Sequence, residues 1–266
     1  NNRYIYGGII MLKTDEKQYH INVSRGEIGK YCILPGDPGR CEQIAAYLDN
    51  PTHVGMNREY NIWNGYIDGE LVSVCSTGIG GPSTAIAVEE LVACGAETLI
   101  RIGTCGGINT KVCPGDVVIA SGAVRQDGTS HEYAPPEFPA VADTDVLFAL
   151  ARAAKNLGYS HHTGVVQSKD SFYGQHSPAR MPTAGALAEK WEAWKRLGVL
   201  ASEMEASTLY TVGASLGVAT GSVFLTVWNQ ERFLLGLDSA TDEVHNTEKA
   251  IATAIEAIRI LISEGK

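Results

Sequence analysis

An arginine inside an apolar strand is the first residue whose position could support chemistry. Arg101 interrupts the segment Thr98–Ile102, whose pattern otherwise predicts a buried strand. Burying a guanidinium is costly unless a negative group meets it. We expect that group to be an oxyanion of a substrate or a carboxylate of the preceding helix, Glu89 or Glu90. The first alternative is an anion-binding site and the second is a structural ion pair.

A glycine-rich turn occupies residues 76–83, between a predicted strand at Leu71–Cys75 and a predicted helix at Thr84–Val92. Its sequence, Ser-Thr-Gly-Ile-Gly-Gly-Pro-Ser, lacks the third glycine of a dinucleotide turn and the Lys-Ser/Thr of a P-loop. Glycines and hydroxyls at such a junction leave backbone N–H groups open to an anion. The turn therefore predicts an anion site of another kind, or in the plainer alternative a simple connection.

A second turn, Pro35–Arg40, follows the predicted strand Tyr31–Leu34. The N–H of Gly36 and the guanidinium of Arg40 could bind one anion together. The alternative is a solvent-facing proline turn without a ligand. Arg58 lies in a polar segment, where an arginine is more often a surface residue than a ligand.

Two further polar clusters adjoin apolar segments. Lys169–His176 directly follows the predicted strand Thr163–Ser168, and open α/β sheets bind ligands at such strand ends. Glu203 and Glu205 lie within an otherwise apolar run, so both carboxylates need partners. They either pair with arginines in a buried ion network or accept hydrogen bonds from a polyol or a base.

Predicted strands and helices alternate along the chain, which indicates an α/β fold with a largely parallel or mixed central sheet. The last helix carries isoleucines on one face, as a core-packing helix does: Ile251, Ile255, Ile258 and Ile262. Two segments resist this pattern. Residues 131–139 predict an irregular loop, and residues 177–197 predict a polar stretch that is partly a mobile flap.

Composition limits the function classes. The chain has 266 residues, 44% of them hydrophobic, and a net charge of −9, which argues against binding to nucleic acid or an anionic membrane. Its six cysteines form no CxxC pair and suit buried free thiols in a cytoplasmic protein. No segment is apolar over the length needed to span a bilayer. We expect residues 1–15 to be an N-terminal arm or an appended segment, and residues 16–266 to form one domain.

Five motifs in order resemble one family. Gly36–Arg40, Ser76–Ser83, Arg101–Thr104, Phe172–Gln175 and Glu203–Glu205 are similar to the uridine phosphorylase branch of the trimer-of-dimers nucleoside phosphorylases. The resemblance implies a single α/β domain whose mixed, partly barrel-like central sheet is flanked by helices. It also implies phosphorolysis of uridine to uracil and ribose 1-phosphate in pyrimidine salvage. The co-substrate would be phosphate, without an organic cofactor, and the assembly would be a homohexamer whose sites are shared between protomers.

The same resemblance assigns roles to individual residues. Phosphate would be held by Gly36, Arg40, Arg58, Arg101 and Thr104, the last four residues being catalytic and Arg58 coming from a neighbouring protomer. Ribose would contact Met204, Glu205 and the His20 of a neighbour. The base would lie against Phe172 and Gly106, with Gln175 contacting its polar edge. A monovalent cation, K⁺, would lie between subunits at Glu59, Ile79 and Ser83.

Departures from the family pattern concern the base. Purine-cleaving relatives carry an aspartate where this chain has Asn229, which cannot act as an acid. Two arginines near the uracil in pyrimidine-cleaving relatives are replaced by Ser177 and Gln230, so we expect Lys169 and His176 to supply donors instead. The alternatives are a purine nucleoside phosphorylase, a nucleoside hydrolase, and a non-catalytic nucleoside-binding protein.

Overall fold

The fold is an α/β domain, described here from a computed structural model over residues 16–266. The arm expected at residues 1–15 lies outside the described residues. The strands are β1 (Tyr31–Pro35), β2 (Asp49–Asn57), β3 (Tyr60–Ile67), β4 (Glu70–Cys75), β5 (Thr98–Gly107), β6 (Val117–Gln126), β7 (Ala140–Val141), β8 (His161–Lys169), β9 (Ala201–Glu203) and β10 (Ala219–Asn229). The helices are α1 (Arg40–Ala45), α2 (Gly81–Cys94), α3 (Thr129–Tyr133), α4 (Thr144–Asn156), α5 (Phe172–His176), α6 (Ala184–Arg196), α7 (Ala206–Leu216), α8 (Gln230–Leu234) and α9 (Glu248–Ser263), with a 3₁₀ turn at Pro178–Arg180.

The strands form one mixed sheet that closes on itself at one end. β10, β6, β8, β9 and β5 pair in that order, and β10 also pairs with β5, which completes a ring. From β5 the sheet continues through β1, β4, β3 and β2 as an open extension. The mixed, partly barrel-like sheet implied by the family resemblance is therefore confirmed.

Helices bury both faces of this sheet. α2 and α7 pack together on one side, and α4 packs against α9 on the other. Ile251, Ile255 and Ile258 of α9 are buried, as the isoleucine spacing predicted. The six cysteines are all free, as predicted, and all but Cys113 are buried. No helix within residues 16–266 is long and apolar enough to cross a membrane.

Three element predictions needed correction. β5 does not end at Ile102 but continues to Gly107, because β10 pairs with it along its whole length and β9 joins at its last residues. Residues 131–139 are not entirely irregular, since α3 covers the first part. Residues 184–196 form helix α6 rather than a polar flap; its Ala-, Glu- and Lys-rich sequence has high helix propensity, although α6 buries no residue.

Candidate active site

A cavity of about 1100 Å³ lies where β1, β5, β8, β9 and β10 end, and we call it the main cavity. It gathers every site residue predicted from the sequence except Arg58 and His20. The predicted residues that line it are Gly36, Arg40, Glu59, Ile79, Ser83, Arg101, Thr104, Gly106, Lys169, Phe172, Gln175, His176, Met204 and Glu205. Residues more than 150 positions apart in the sequence thus line one cavity.

Arg101 projects from β5 and is 5% exposed. Its Nη2 donates to Oε2 of Glu205, and its Nε lies 3.6 Å from Oε2 of Glu203. The alternative that Glu89 or Glu90 neutralises Arg101 is therefore wrong. Glu89 accepts a hydrogen bond from Tyr133 and Glu90 binds His20, so the partners of Arg101 come from the distant β9 segment.

This ion network leaves part of the guanidinium available. Nη1 of Arg101 is buried and has no hydrogen-bond partner among the described residues. Gly36 keeps the backbone close: a Cβ at Gly36 would lie 3.8 Å from Nη2 of Arg101 and 3.2 Å from the carbonyl oxygen of Gly78. Arg40 and Thr104 line the same cavity. The unpartnered N–H of Arg101 and the second guanidinium, that of Arg40, together favour binding of an oxyanion.

The glycine-rich turn is used differently from the expected open anion site. The N–H of Gly80 donates to Oε1 of Glu205 at 2.6 Å, and the N–H groups of Thr77 and Gly78 donate to the carbonyl oxygens of Pro35 and Gly36. Gly78 and Gly80 have φ of 69° and 90°, a region that favours glycine. The turn therefore holds a carboxylate of the protein and orients Glu205 toward the cavity.

Glu203 lies beside Glu205 and is also fixed from several sides. It accepts hydrogen bonds from the hydroxyl of Ser168 and from the backbone N–H groups of Glu205 and Ala206. Burial, and then the charge of Glu205, raise the pKa of Glu203, while Arg101 and Ser168 oppose that rise. A buried ion network with an arginine, one of the two alternatives for these carboxylates, is present in the structure.

Lys169 also lines the main cavity and is 5% exposed at the end of β8. Its Nζ donates to Oγ of Ser202 at 2.7 Å, and Oγ of Ser202 donates to Oε1 of Gln175 at 2.5 Å. Burial lowers the pKa of Lys169 to about 8, although the charges of Glu203 and Glu205 act in the opposite direction. Lys169 thus combines a charged donor with a pKa close to neutral pH.

An aromatic surface adjoins Lys169. The ring of Phe172 lies 4.3 Å from the ring of His176, and Nζ of Lys169 lies 6.0 Å from the centroid of Phe172. Burial, and then the charge of Lys169, lower the pKa of His176. This lowered pKa favours the neutral form of the imidazole. A flat ring bordered by hydrogen-bond donors suits a heterocycle with carbonyl oxygens.

Asn229 is fully buried and does not line the main cavity. Its Oδ1 accepts from the N–H groups of Glu231 and Arg232 and so caps α8. Its Nδ2 donates to the carbonyl oxygens of Asn109 and Val112. Every polar atom of the side chain is engaged by backbone, so Asn229 organises the cavity wall from behind.

His20 and Arg58 lie together outside the main cavity. Nδ1 of His20 is 2.6 Å from Oε1 of Glu90, and Nδ2 of Asn57 donates to the carbonyl oxygen of His20. The guanidinium carbon of Arg58 lies 5.8 Å from the ring centroid of Tyr19. Arg58 is exposed and has a φ of 54°, which is uncommon for a residue with a side chain.

Among the residues that line the main cavity, sequence reasoning gave no role to Ser202, Glu243 and His245. Ser202 links Lys169 to Gln175, and its only sequence signal was its place one residue before Glu203. Glu243 and His245 also line the cavity and contact each other at 2.9 Å. They belong to the connection between α8 and α9, where no hydrophobic period predicts a position.

The residues proposed for a cation lie near one another. Oγ of Ser83 lies 3.3 Å from the carbonyl oxygen of Ile79, and a Cβ at Gly78 would lie about equally close to Oγ of Ser83 and to the Glu59 side chain. Carboxylate, carbonyl and hydroxyl oxygens suit a hard cation. Among residues 16–266, no group of three or more His, Cys, Asp or Glu side chains could hold a metal ion.

Comparison with known proteins agrees with this geometry. A family model described as the phosphorylase superfamily matches residues 30–263. The chain is 51% identical over 254 residues to a uridine phosphorylase of Treponema pallidum (strain Nichols), covering 96% of this chain and 98% of that protein. It is 40% identical over 264 residues to a uridine phosphorylase of Escherichia coli (strain K12), covering 96% and 99%. It is also 38% identical over 255 residues to a guanosine phosphorylase of Halorubrum lacusprofundi, covering 92% and 99%. The chain therefore belongs to the phosphorylase superfamily.

Proposed function

We propose that this protein catalyses the reversible phosphorolysis of uridine to uracil and ribose 1-phosphate. The observation that carries the proposal is the buried guanidinium of Arg101, which keeps an unpartnered N–H beside Arg40, Gly36 and Thr104 in the main cavity. A phosphate dianion would satisfy that donor and both cations. The similarity to uridine phosphorylases over nearly the whole chain supports the same substrate pair.

The chemistry follows from charge. A phosphate oxygen attacks the anomeric carbon of ribose, the C–N bond breaks, and its electron pair leaves with the base. Arg40 and Arg101 hold the phosphate beneath that carbon, so that proximity replaces a bimolecular encounter. The dianion also stabilises the positive charge that develops on the sugar ring. Met204 and Glu205 contact the ribose, the latter held by Arg101 and the N–H of Gly80.

No covalent enzyme nucleophile is needed. Cys105 lines the main cavity, but burial raises the pKa of its thiol to about 12, which keeps it protonated. The negative charge that accumulates on the base is met by donors instead. Lys169 and His176 supply donors to the carbonyl edge of uracil, with Gln175 beside them and the ring stacked on Phe172 next to Gly106. These groups take the place of the arginines that Ser177 and Gln230 replace.

The residues outside the cavity act in a neighbouring copy. In this proposal Arg58 reaches the phosphate of the adjacent subunit and His20 reaches its ribose. The assembly is a homohexamer, a trimer of dimers, with K⁺ bound between subunits at Glu59, Ile79 and Ser83. Tyr19, Asn57 and Glu90 hold this pair on one face, where a second subunit can use both residues. We further propose that the enzyme acts in cytoplasmic pyrimidine salvage and that residues 16–266 are its catalytic domain.

A uracil-release assay with and without phosphate tests the proposal. Phosphate-dependent release is the expected result, with ribose 1-phosphate formed in equal amount. Release at the same rate without phosphate would indicate a nucleoside hydrolase. Binding of uridine without release under either condition would indicate a non-catalytic nucleoside-binding protein. Either outcome would reject the proposed reaction.

Purine nucleosides are the second candidate substrates, because a guanosine phosphorylase is among the relatives. The engagement of Asn229 by backbone argues against them, since the residue at the position of the purine-protonating acid neither ionises nor lines the main cavity. Guanosine and inosine assayed beside uridine decide the matter. We expect turnover of uridine to exceed that of both purine nucleosides.

A further inference from the structure

Ser202 occupies the centre of the wall on which the base is proposed to lie. It belongs to β9, where it pairs with Gly106 of β5 and Gln167 of β8, and it is 3% exposed. Its hydroxyl lies between two residues assigned to the base, 2.7 Å from Nζ of Lys169 and 2.5 Å from Oε1 of Gln175.

The direction of these hydrogen bonds is dictated by Lys169. An ammonium group has three donors and no lone pair, so Oγ of Ser202 must accept from it. The hydroxyl proton of Ser202 is then free for its other neighbour and needs an acceptor there. Of the two ends of the Gln175 amide, only Oε1 can accept, because Nε2 is a donor. The charge on Lys169 thereby determines which end of Gln175 faces Ser202.

We propose that Ser202 is a positioning residue that fixes the polarity of the Gln175 amide, so that Gln175 presents donors to the base. This inference rests on the proposed function and adds a specificity determinant to it. With Oε1 engaged by Ser202, the N–H groups of Nε2 remain for the ligand. Two donor residues, Lys169 and Gln175, then face the base instead of one donor and one side chain free to rotate.

The consequence is discrimination between pyrimidines. The polar edge of uracil carries O2, N3–H and O4, and both carbonyl oxygens gain negative charge as the base leaves. Cytosine keeps O2 but carries an amino group in place of O4, which a donor repels and an acceptor attracts. With Nε2 of Gln175 directed at O4, fixing the amide as a donor therefore favours uridine over cytidine, most strongly in the transition state.

The test removes the hydroxyl. Ser202→Ala leaves the Gln175 amide free to turn, so we expect kcat for uridine to fall about tenfold, the effect of losing about 1.4 kcal/mol of oriented hydrogen bonding. The KM for phosphate stays unchanged, and the ratio of uridine to cytidine kcat/KM falls by a similar factor. Ser202→Thr retains a hydroxyl and restores both quantities. Assays at pH 7 keep Lys169 protonated, since its pKa is about 8.

A matched control exists in β4. Oγ of Ser73 accepts from the N–H of Gly29 at 2.9 Å and donates to Oδ1 of Asn64 at 2.6 Å, which is the same pattern in a buried strand away from the main cavity. Ser73→Ala is expected to lower the unfolding temperature as Ser202→Ala does, with no change in kcat or in the uridine to cytidine ratio. Should Ser202→Ala not fold, Ser202→Cys replaces it, because a thiol is a weak donor of similar size.

The outcomes separate this inference from the proposed function. A wild-type enzyme without phosphate-dependent uracil release would reject the function. The inference would then depend on equilibrium binding of uracil, which Ser202→Ala should weaken about tenfold. An active wild type whose Ser202→Ala variant keeps the kcat and the uridine to cytidine ratio would overturn the inference alone. Absence of uracil binding to an inactive wild type would overturn both.

Discussion

The wall of the main cavity and the outer face around His20 hold their cationic groups in opposite ways. Inside, Arg101 is buried, anchored to Glu205 and Glu203, and retains an unsatisfied N–H. Outside, Arg58 is exposed and its side chain rests beside Tyr19. The fold preorganises the guanidinium of Arg101. The backbone of Arg58 is fixed as well, but its exposed guanidinium is not held by a carboxylate in the described part of the chain.

This contrast shows which catalytic side chains a subunit can hold rigidly in place. A residue that acts within its own subunit can be fixed by buried carboxylates, because the fold supplies both partners. A residue that acts in a neighbouring subunit must extend from the surface of its own. Its own chain can therefore orient only its backbone and the near part of its side chain. Glu90 does this for His20, and the positive φ does it for Arg58.

The largest effect is expected from Arg101→Met. The variant removes the phosphate donor and leaves Glu203 and Glu205 buried without a cation. We expect kcat/KM for phosphate to fall by about 10³-fold and the free energy of unfolding to fall by about 3–5 kcal/mol. Phosphate-dependent uracil release and urea unfolding measure the two.

Arg152→Met is the control for Arg101→Met. Arg152 pairs with Glu264 at the surface, where an ion pair contributes at most about 1 kcal/mol. Its activity should equal that of the wild type. If Arg101→Met kept a normal KM for phosphate, the inner side of the comparison would be wrong.

Next in size is the effect of separating the two regions between subunits. Arg40→Ala damages the cavity and Arg58→Ala damages the outer face, and we expect each to lower kcat/KM about 100-fold. When the two variants are unfolded together and refolded, a mixed interface contains one site with both arginines intact. Activity should therefore rise well above that of either variant refolded alone.

The control for subunit mixing is refolding of Arg40→Ala with Arg101→Met. Each of these changes affects the cavity of the chain that carries it. Every site in a mixed assembly therefore lacks one of these two arginines, and no activity should return. An Arg58→Ala variant with full activity on its own, or no recovery on mixing, would show that the outer face does not complete a neighbouring site.

Sequence reasoning predicted the inner region well because its residues lie at strand ends. Arg101, Lys169 and Glu205 each follow or interrupt an apolar run, and parallel strands bring such ends together. It did not predict which carboxylates pair with Arg101. Proximity in sequence favoured Glu89 and Glu90, whereas the sheet order joins β5 to β9 across about a hundred residues.

Contacts between side chains from different elements were likewise out of reach of the sequence. The hydroxyl of Ser202 acquires its importance only from β8 and α5 on either side of it. Helix α6 was underestimated for a different reason. Leu187, Trp191 and Trp194 recur at helical spacing in it, but the surrounding polar residues and the breakers Pro182 and Gly185 favoured an irregular segment.

A smaller effect is expected from Lys169→Met, which concerns the cavity only. Loss of a charged donor to the base should lower kcat about 10–100-fold. In the wild type the charged form is lost as pH rises through about 8, so activity should decline above that pH. This alkaline decline should be absent in Lys169→Met. A pH profile of kcat for both proteins measures it, with Lys190→Met on the exposed face of α6 as the control.

The same lysine affects stability with a defined sign. Its pKa is about 8 in the folded protein and 10.5 ordinarily, so between these values the unfolded chain binds more protons. Stability should therefore rise with pH from about 8 to 10.5, and this rise should be smaller in Lys169→Met. An unchanged slope in urea unfolding across that range would contradict the burial of a charged Lys169.

The smallest effect is expected at the outer face, from Glu90→Gln. Glu90 accepts from Nδ1 of His20 and from the backbone N–H groups of His20 and Ile21, so it fixes the ring with Nε2 outward. A neutral amide holds the ring less firmly, and we expect KM for uridine to rise about three- to tenfold with little change in kcat. The family resemblance implies that His20 lies near the 5′-hydroxyl of the ribose in the neighbouring site. With 5′-deoxyuridine, which lacks that hydroxyl, the same substitution should therefore have no effect. Glu89→Gln is the matched control, because Glu89 lies on the same helix as Glu90 but accepts a hydrogen bond from Tyr133 of α3 and not from His20. An equal loss with both substrates would mean that Glu90 supports the fold of this face and not the orientation of His20.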